Sequence, residues 1–191
     1  MSKLAVLDDL LAHYYQLAYH TRPDILSRLQ DVQAWQKVRM QRTHRAHFAE
    51  KQNLLMSEYF LNRLYGGADF DALAEQIARL MKYAHKAEKV IPENAIKTGT
   101  SGVELAILAV QLDEQVAIQL LQDYHPHEPL TDEMMRLTYL KLDQGEARLK
   151  QLALLDQLGM SLDKYMRSFV VYTAFKMCKG AANKYNFQVM Y

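Results

Sequence analysis

The stretch from Trp35 to Phe70, WQKVRMQRTHRAHFAEKQNLLMSEYFLNRLYGGADF, constrains the fold more than any other part of the chain. Trp35, Arg39, Arg42 and Ala46 follow one another at intervals of four, three and four, which is one face of an α-helix. A second helical run follows through Leu54, Leu55, Tyr59, Leu61, Leu64 and Tyr65, and Gly66-Gly67 supplies a left-handed stop. Two helices and their punctuation leave no room here for a strand.

The same spacing extends to both ends. Leu4, Leu7, Leu10, Leu11, Tyr14, Leu17 and Ala18 predict a first helix behind Ser2, ending before Arg22-Pro23. Pro23 suits the first turn of a second helix, whose apolar positions Ile25, Leu29, Val32, Trp35 and Val38 continue towards Phe48. The third spans roughly Leu54 to Tyr65, and the fourth, capped by Asp69 or Asp71, runs to about Glu88. Pro92 starts a fifth that Gly99 and Gly102 would bend or break, and whose remainder, Val103 to Tyr124, is apolar enough to be central. His125-Pro126-His127-Glu128-Pro129 cannot stay helical, and Thr131 followed by Asp132 and Glu133 reads as the start of a sixth helix reaching about Gln144. A seventh covers Gly145 to about Arg167 and an eighth Ser168 to about Lys179. Only seven Gly and four Pro punctuate 191 residues, and no run of Gly, Ser or Pro is long enough to link domains. The expectation is an all-α, single-domain bundle of about seven to eight helices, with a real core and no need of a cofactor.

Several stretches resemble the uncharacterised proteobacterial FFLEELY-motif proteins. They are Trp35-Gln36 with Arg39 and Arg42-Thr43, then Tyr59-Phe60-Leu61-Asn62-Arg63-Leu64-Tyr65-Gly66 and Asp69-Phe70, Glu104-Leu105 to Leu112-Asp113, and Leu158-Gly159 to Leu162-Asp163 with Arg167. The central motif is degenerate, because Tyr59 replaces Phe and Asn62 and Arg63 stand where the family carries acids. The resemblance implies one helical domain in a bacterial cytoplasm and implies no activity.

The lone Cys178, in an apolar stretch, excludes an intramolecular disulfide framework and a multi-cysteine zinc site. Asp8 and Asp9 interrupt the N-terminal apolar run, and no 18-residue apolar segment follows, so the expected location is cytoplasmic. There is no Gly-x-Ser-x-Gly elbow, no phosphate loop and no Gly-x-Gly-x-x-Gly, which lowers the expectation of an enzyme.

Three arrangements carry the chemistry that remains. Trp35, Arg39 and Arg42, with Tyr59 and Tyr65 across a cleft between helices two and three, would hold an anionic or planar ligand by forked hydrogen bonds and stacking. The structural alternative makes Trp35 a core residue and pairs the arginines with Glu58 or another internal acid. His44 and His47 would offer two imidazoles to one metal, which still needs a third ligand. His125, His127 and Glu128 form a loop cluster that could meet a divalent ion or simply be an exposed linker.

Charge is unevenly placed. From Asp69 to Glu133 there are 12 acids against 5 basic residues, and from Lys164 to Tyr191 there are 5 basic residues and no acid. The apolar run Met166 to Lys179 with basic ends suits either peripheral contact with an anionic membrane or packing within the protein or a homodimer. Nucleic acid is not expected, since helix two carries Asp24 and Asp31. The reading that needs least is an interaction or scaffold protein. A small-ligand binder and a metal-dependent enzyme using His44 and His47 are the alternatives.

Overall fold

Val32, Val116, Ala117, Leu120 and Met135 have no exposed surface and anchor one core cluster, which the apolar faces of four helices and the turn around Leu17 and Tyr19 build. The computed structural model describes residues 4–66, 68–87 and 93–166, and among them are eight α-helices and no strand. These are α1 (Ala5–Tyr15), α2 (Pro23–Thr43), α3 (Arg45–Ala49), α4 (Leu54–Tyr59), α5 (Ala68–Ala87), α6 (Glu93–Asp123), α7 (Asp132–Leu142) and α8 (Gly145–Met166). A short 3₁₀ turn at Ala18–His20 precedes α2, and a π-helical turn at Phe60–Leu64 extends α4.

The central element is α6, 31 residues and so about 45 Å long. It packs against α1, α2, α7 and α8. Gly99 and Gly102 do not break it. Contacts with neighbours along its length outweigh the small intrinsic cost of two glycines. A smaller cluster of Leu4, Leu7, Leu11 and Met81 ties α1 to α5, with Ile77, Ala78, Ile96 and Val103 against it.

Helix two is shorter than its periodicity predicts. It stops at Thr43, and His44 (φ −111°, ψ 23°) separates it from α3. From Gln41 to His47 every residue is exposed, so no burial enforces a straight continuation to Phe48. The start of α7 is as expected: the Thr131 hydroxyl accepts the Met134 N–H at 3.1 Å, and Asp132 and Glu133 occupy the first turn. Ser2, Cys178 and the expected eighth helix, Ser168 to Lys179, lie outside the described residues, as does the membrane-contact run beyond Met166. No helix among the described residues is long and apolar enough to cross a membrane.

Candidate functional site

A polar seam crosses the interior where α2, α6, α7 and α8 meet. At its centre Asp113 of α6 is 1% exposed. Its Oδ1 accepts from Nη2 of Arg148 at 3.1 Å, and its Oδ2 accepts the Tyr65 hydroxyl at 2.5 Å. The Arg148 guanidinium lies 5.6 Å from the ring centre of Tyr139, whose hydroxyl is hydrogen-bonded to the Gln36 amide. Arg39 Nε donates to Gln36 Oε1 at 3.0 Å, and its guanidinium sits 5.7 Å from the Trp35 ring centre. Trp35 and Arg42 both end on Asp132, the indole N–H at 2.9 Å and the Arg42 Nη2 at 3.3 Å. Side chains from four helices and the π turn thus form one chain of contacts from Asp132 to Tyr65.

Burial dominates the electrostatics of this seam. It pushes the Asp113 carboxyl up, against the opposing pull of Arg148 and the Tyr65 hydroxyl. It pushes Tyr139 up to about 12 and Tyr65 well above the ordinary tyrosine range, with the Asp113 charge adding to both. Around Asp113 the seam thus gathers its carboxyl group, the Arg148 guanidinium and two phenols that stay protonated at neutral pH. Every one of those groups already has a protein partner.

The five residues expected around a cleft separate into three places. Trp35, Arg39 and Arg42 share one face of α2, with Trp35 half-buried against the main core and Arg42 paired with Asp132, an acid not singled out from the sequence. Tyr65 turns inward to Asp113, whereas Tyr59 is exposed on α4. A cavity of about 250 Å³ does lie between the end of helix two and α4, but Gln41, Arg45, Phe48, Leu54, Glu58 and Leu61 are among its lining and none of the five is.

His44 is the residue at the α2–α3 break, and His47 lies within α3. His44 packs 5.9 Å from the Phe48 ring centre, and His47 lies 3.8 Å from Glu50 Oε1. Among the described residues no three His, Cys, Asp or Glu side chains are grouped to hold a metal ion, at this pair or at His125 and His127.

Within the loop 125–130 the main chain is what is held. Arg28 is 1% exposed and donates to three carbonyls, from Nη2 to His125 at 2.8 Å and Pro126 at 2.6 Å and from Nη1 to Glu128 at 3.0 Å. Asp31 lies 3.3 Å from the same guanidinium.

A family model described as a domain of unknown function, DUF8198, matches residues 16–191. The chain belongs to this DUF8198 family. No curated protein and no solved structure matches it. The matched span contains every member of the Asp132–Tyr65 seam and the Arg28 clamp.

Arg28 and Arg148 are the functional-looking residues that sequence reasoning passed over. Each stands among other charged residues on a helical pattern, so nothing local distinguishes it from a solvated cation. Glu114 is a third: it is buried in α6, and its carboxylate accepts the Tyr19 backbone N–H at 2.7 Å. The tyrosines of the first helical segment form a packed aromatic group. The Tyr14 ring meets Tyr15, Tyr19, His20 and Phe70 edge-on, and its hydroxyl donates to Asp71 at 2.7 Å.

Proposed function

We propose that this DUF8198 member is a cytoplasmic interaction module that works by binding, and that it self-associates through an antiparallel pair of α8 helices. The observation that carries this reading is the outer face of α8, where Leu149, Leu152, Leu155 and Met160 are between 52% and 67% exposed. These four lie on one side of the helix, while Arg148 and Leu158 engage α6 through Asp113 and Gly102. An aliphatic stripe of that length facing water is the usual mark of an interaction surface.

Charge at the two ends of the stripe favours a second copy as the occupant, against the repulsion of the exposed Asp156 that lies within it. In an antiparallel pair centred on Leu155, the exposed Glu146 of one helix falls opposite the exposed Lys164 of the other, on the same flank of the stripe. Both ends of a two-fold interface then carry opposite charges.

Sedimentation velocity over a range of concentrations tests this. The expected result is a dimer that becomes monomeric in Leu152→Asp and weakens in Glu146→Lys, with association recovered when Lys164→Glu is added. A wild-type chain that stays monomeric, or a dimer indifferent to Leu152→Asp, would reject it.

We also propose kinship with the FFLEELY-motif proteins. Three stretches that carry the likeness, Trp35-Gln36, Tyr65-Gly66 and Leu112-Asp113, contribute Gln36, Tyr65 and Asp113 to a single seam.

A further inference from the structure

Trp35 has a second surface that the seam does not use. With Asp31, Ala34 and Val38 it forms one wall of a groove on α2, and His127, Glu128, Pro129 and Leu130 form the other. The groove has a volume of about 400 Å³. That falls within the range of about 300–1,000 Å³ typical of ligand sites.

Both walls are fixed. The Trp35 indole is held by its hydrogen bond to Asp132, and the loop main chain is held by the three carbonyl contacts of Arg28. A groove whose two walls are already held by hydrogen bonds needs little ordering when something binds.

The charges around it select the occupant. Both Nη groups of the buried Arg28 are engaged with carbonyls and Asp31, and its Nε, without a partner among the described residues, is itself sealed from solvent. Arg42 is spent on Asp132. Arg39 stacks on Trp35 but is not part of the lining. The lining acids are different: Asp31 is half-exposed, and the exposed carboxylate of Glu128 has no partner among the described residues. An aromatic face beside the unpartnered Glu128 carboxylate, with Asp31 already balanced by Arg28, suits a cation, and above all a guanidinium, which can stack on indole while hydrogen-bonding to carboxylate. Val38, 61% exposed, on one wall and Pro129 and Leu130 on the other supply apolar surface for neighbouring aliphatic side chains.

We propose that the Trp35 groove is a binding site for a basic–apolar peptide segment of a partner protein, with an arginine against Trp35 and Glu128. The sign is opposite to the anionic ligand that the Arg39 and Arg42 spacing suggests from sequence. The site shares no residue with α8, so it stands or falls separately from self-association.

The chain carries a single tryptophan, so its intrinsic tryptophan emission reports on the surroundings of Trp35, which forms part of this groove. The probe is a capped tetrapeptide of two arginines and two leucines, titrated into the full-length protein beside the same peptide with glutamates in place of the arginines. The expected result is a saturable change in Trp35 emission with the arginine peptide only, weakened by salt and by up to about fivefold in Glu128→Gln. Glu128→Gln leaves the carbonyl held by Arg28 in place, and an unchanged helical circular dichroism spectrum confirms the fold. No change, or an equal change with both peptides, overturns the proposal. So does a salt-dependent Trp35 signal in the free protein that added peptide does not alter, which would assign the groove to the chain's own acid-free segment 164–191.

Discussion

Tyr65 donates its hydroxyl hydrogen bond to a carboxyl group 48 residues further along the chain, Oδ2 of Asp113, across 2.5 Å. The other oxygen of the same carboxylate holds Arg148 at 3.1 Å. A single side chain of α6 therefore fixes both the end of the π turn and the first turns of α8. With Asp113 sealed from water, each bond compensates for the burial of the charge, and losing either leaves the remainder under-solvated.

Removing Arg148 should cost more than removing the charge of Asp113. Arg148→Ala strands a buried carboxylate, and a loss of roughly 3–5 kcal/mol is expected. Asp113→Asn keeps the shape and leaves a guanidinium that is already a quarter exposed, so the loss should be smaller. The double variant Asp113→Leu, Arg148→Met should recover most of the stability lost in Arg148→Ala. Urea unfolding at constant m-value decides it. Equal costs for the two single variants would mean that the pair is not the anchor.

Gly66 supports the same junction from the backbone. It has φ +55°, and a Cβ placed on it would lie 2.6 Å from Cδ and 3.1 Å from Cβ of the buried Gln33. Gly66→Ala should destabilise by about 2 kcal/mol, of which roughly half is the left-handed backbone term. Adding Gln33→Ala should remove the steric part and leave the backbone part. Thermal unfolding of the three variants separates them, and a Gly66→Ala protein as stable as wild type would contradict this geometry.

Periodicity alone exposed the all-helical architecture, because apolar residues at three- and four-residue spacing have one helical interpretation. It also located the Gly66 turn and the Thr131 cap, where the residue types carry the conformation themselves. It misplaced the end of helix two, since Arg42 to His47 reads as helix locally and only missing tertiary contact reveals the break at His44. The spacing of Trp35, Arg39 and Arg42 correctly put them on one face, but Asp132, the partner of Trp35 and Arg42, lies 90 residues from Arg42. Arg28 and Arg148 were invisible for the same reason, as burial of a cation is decided by elements remote in sequence.

Alkaline pH should unfold the protein through its tyrosines. Tyr14, Tyr65 and Tyr139 all have their ionisation pushed upward, chiefly by burial. The unfolded chain then loses these protons first, at about pH 10, while the folded chain retains them. Stability is therefore full below about pH 10 and falls as pH rises above it. Tyrosinate absorbance followed together with circular dichroism should show a fraction of the tyrosines titrating only as helicity is lost. Ionisation of every tyrosine near pH 10 with the helices intact would show that these hydroxyls are not buried in solution.

The loop that forms one wall of the Trp35 groove should depend on one arginine. Arg28 donates to the carbonyls of His125, Pro126 and Glu128 from a fully buried position. Its planar fork serves three acceptors that a lysine ammonium could not reach in the same geometry. Arg28→Ala should cost about 3 kcal/mol or more, and Arg28→Lys should recover only part of that. The sharper readout is local. Hydrogen exchange of the 125–131 amides should accelerate in Arg28→Ala well beyond the change in global stability, with α6 and α7 amides tracking the global value. Exchange in the loop that rises no more than in α6 would show that the carbonyl contacts do not hold it, and would remove the fixed wall from the groove.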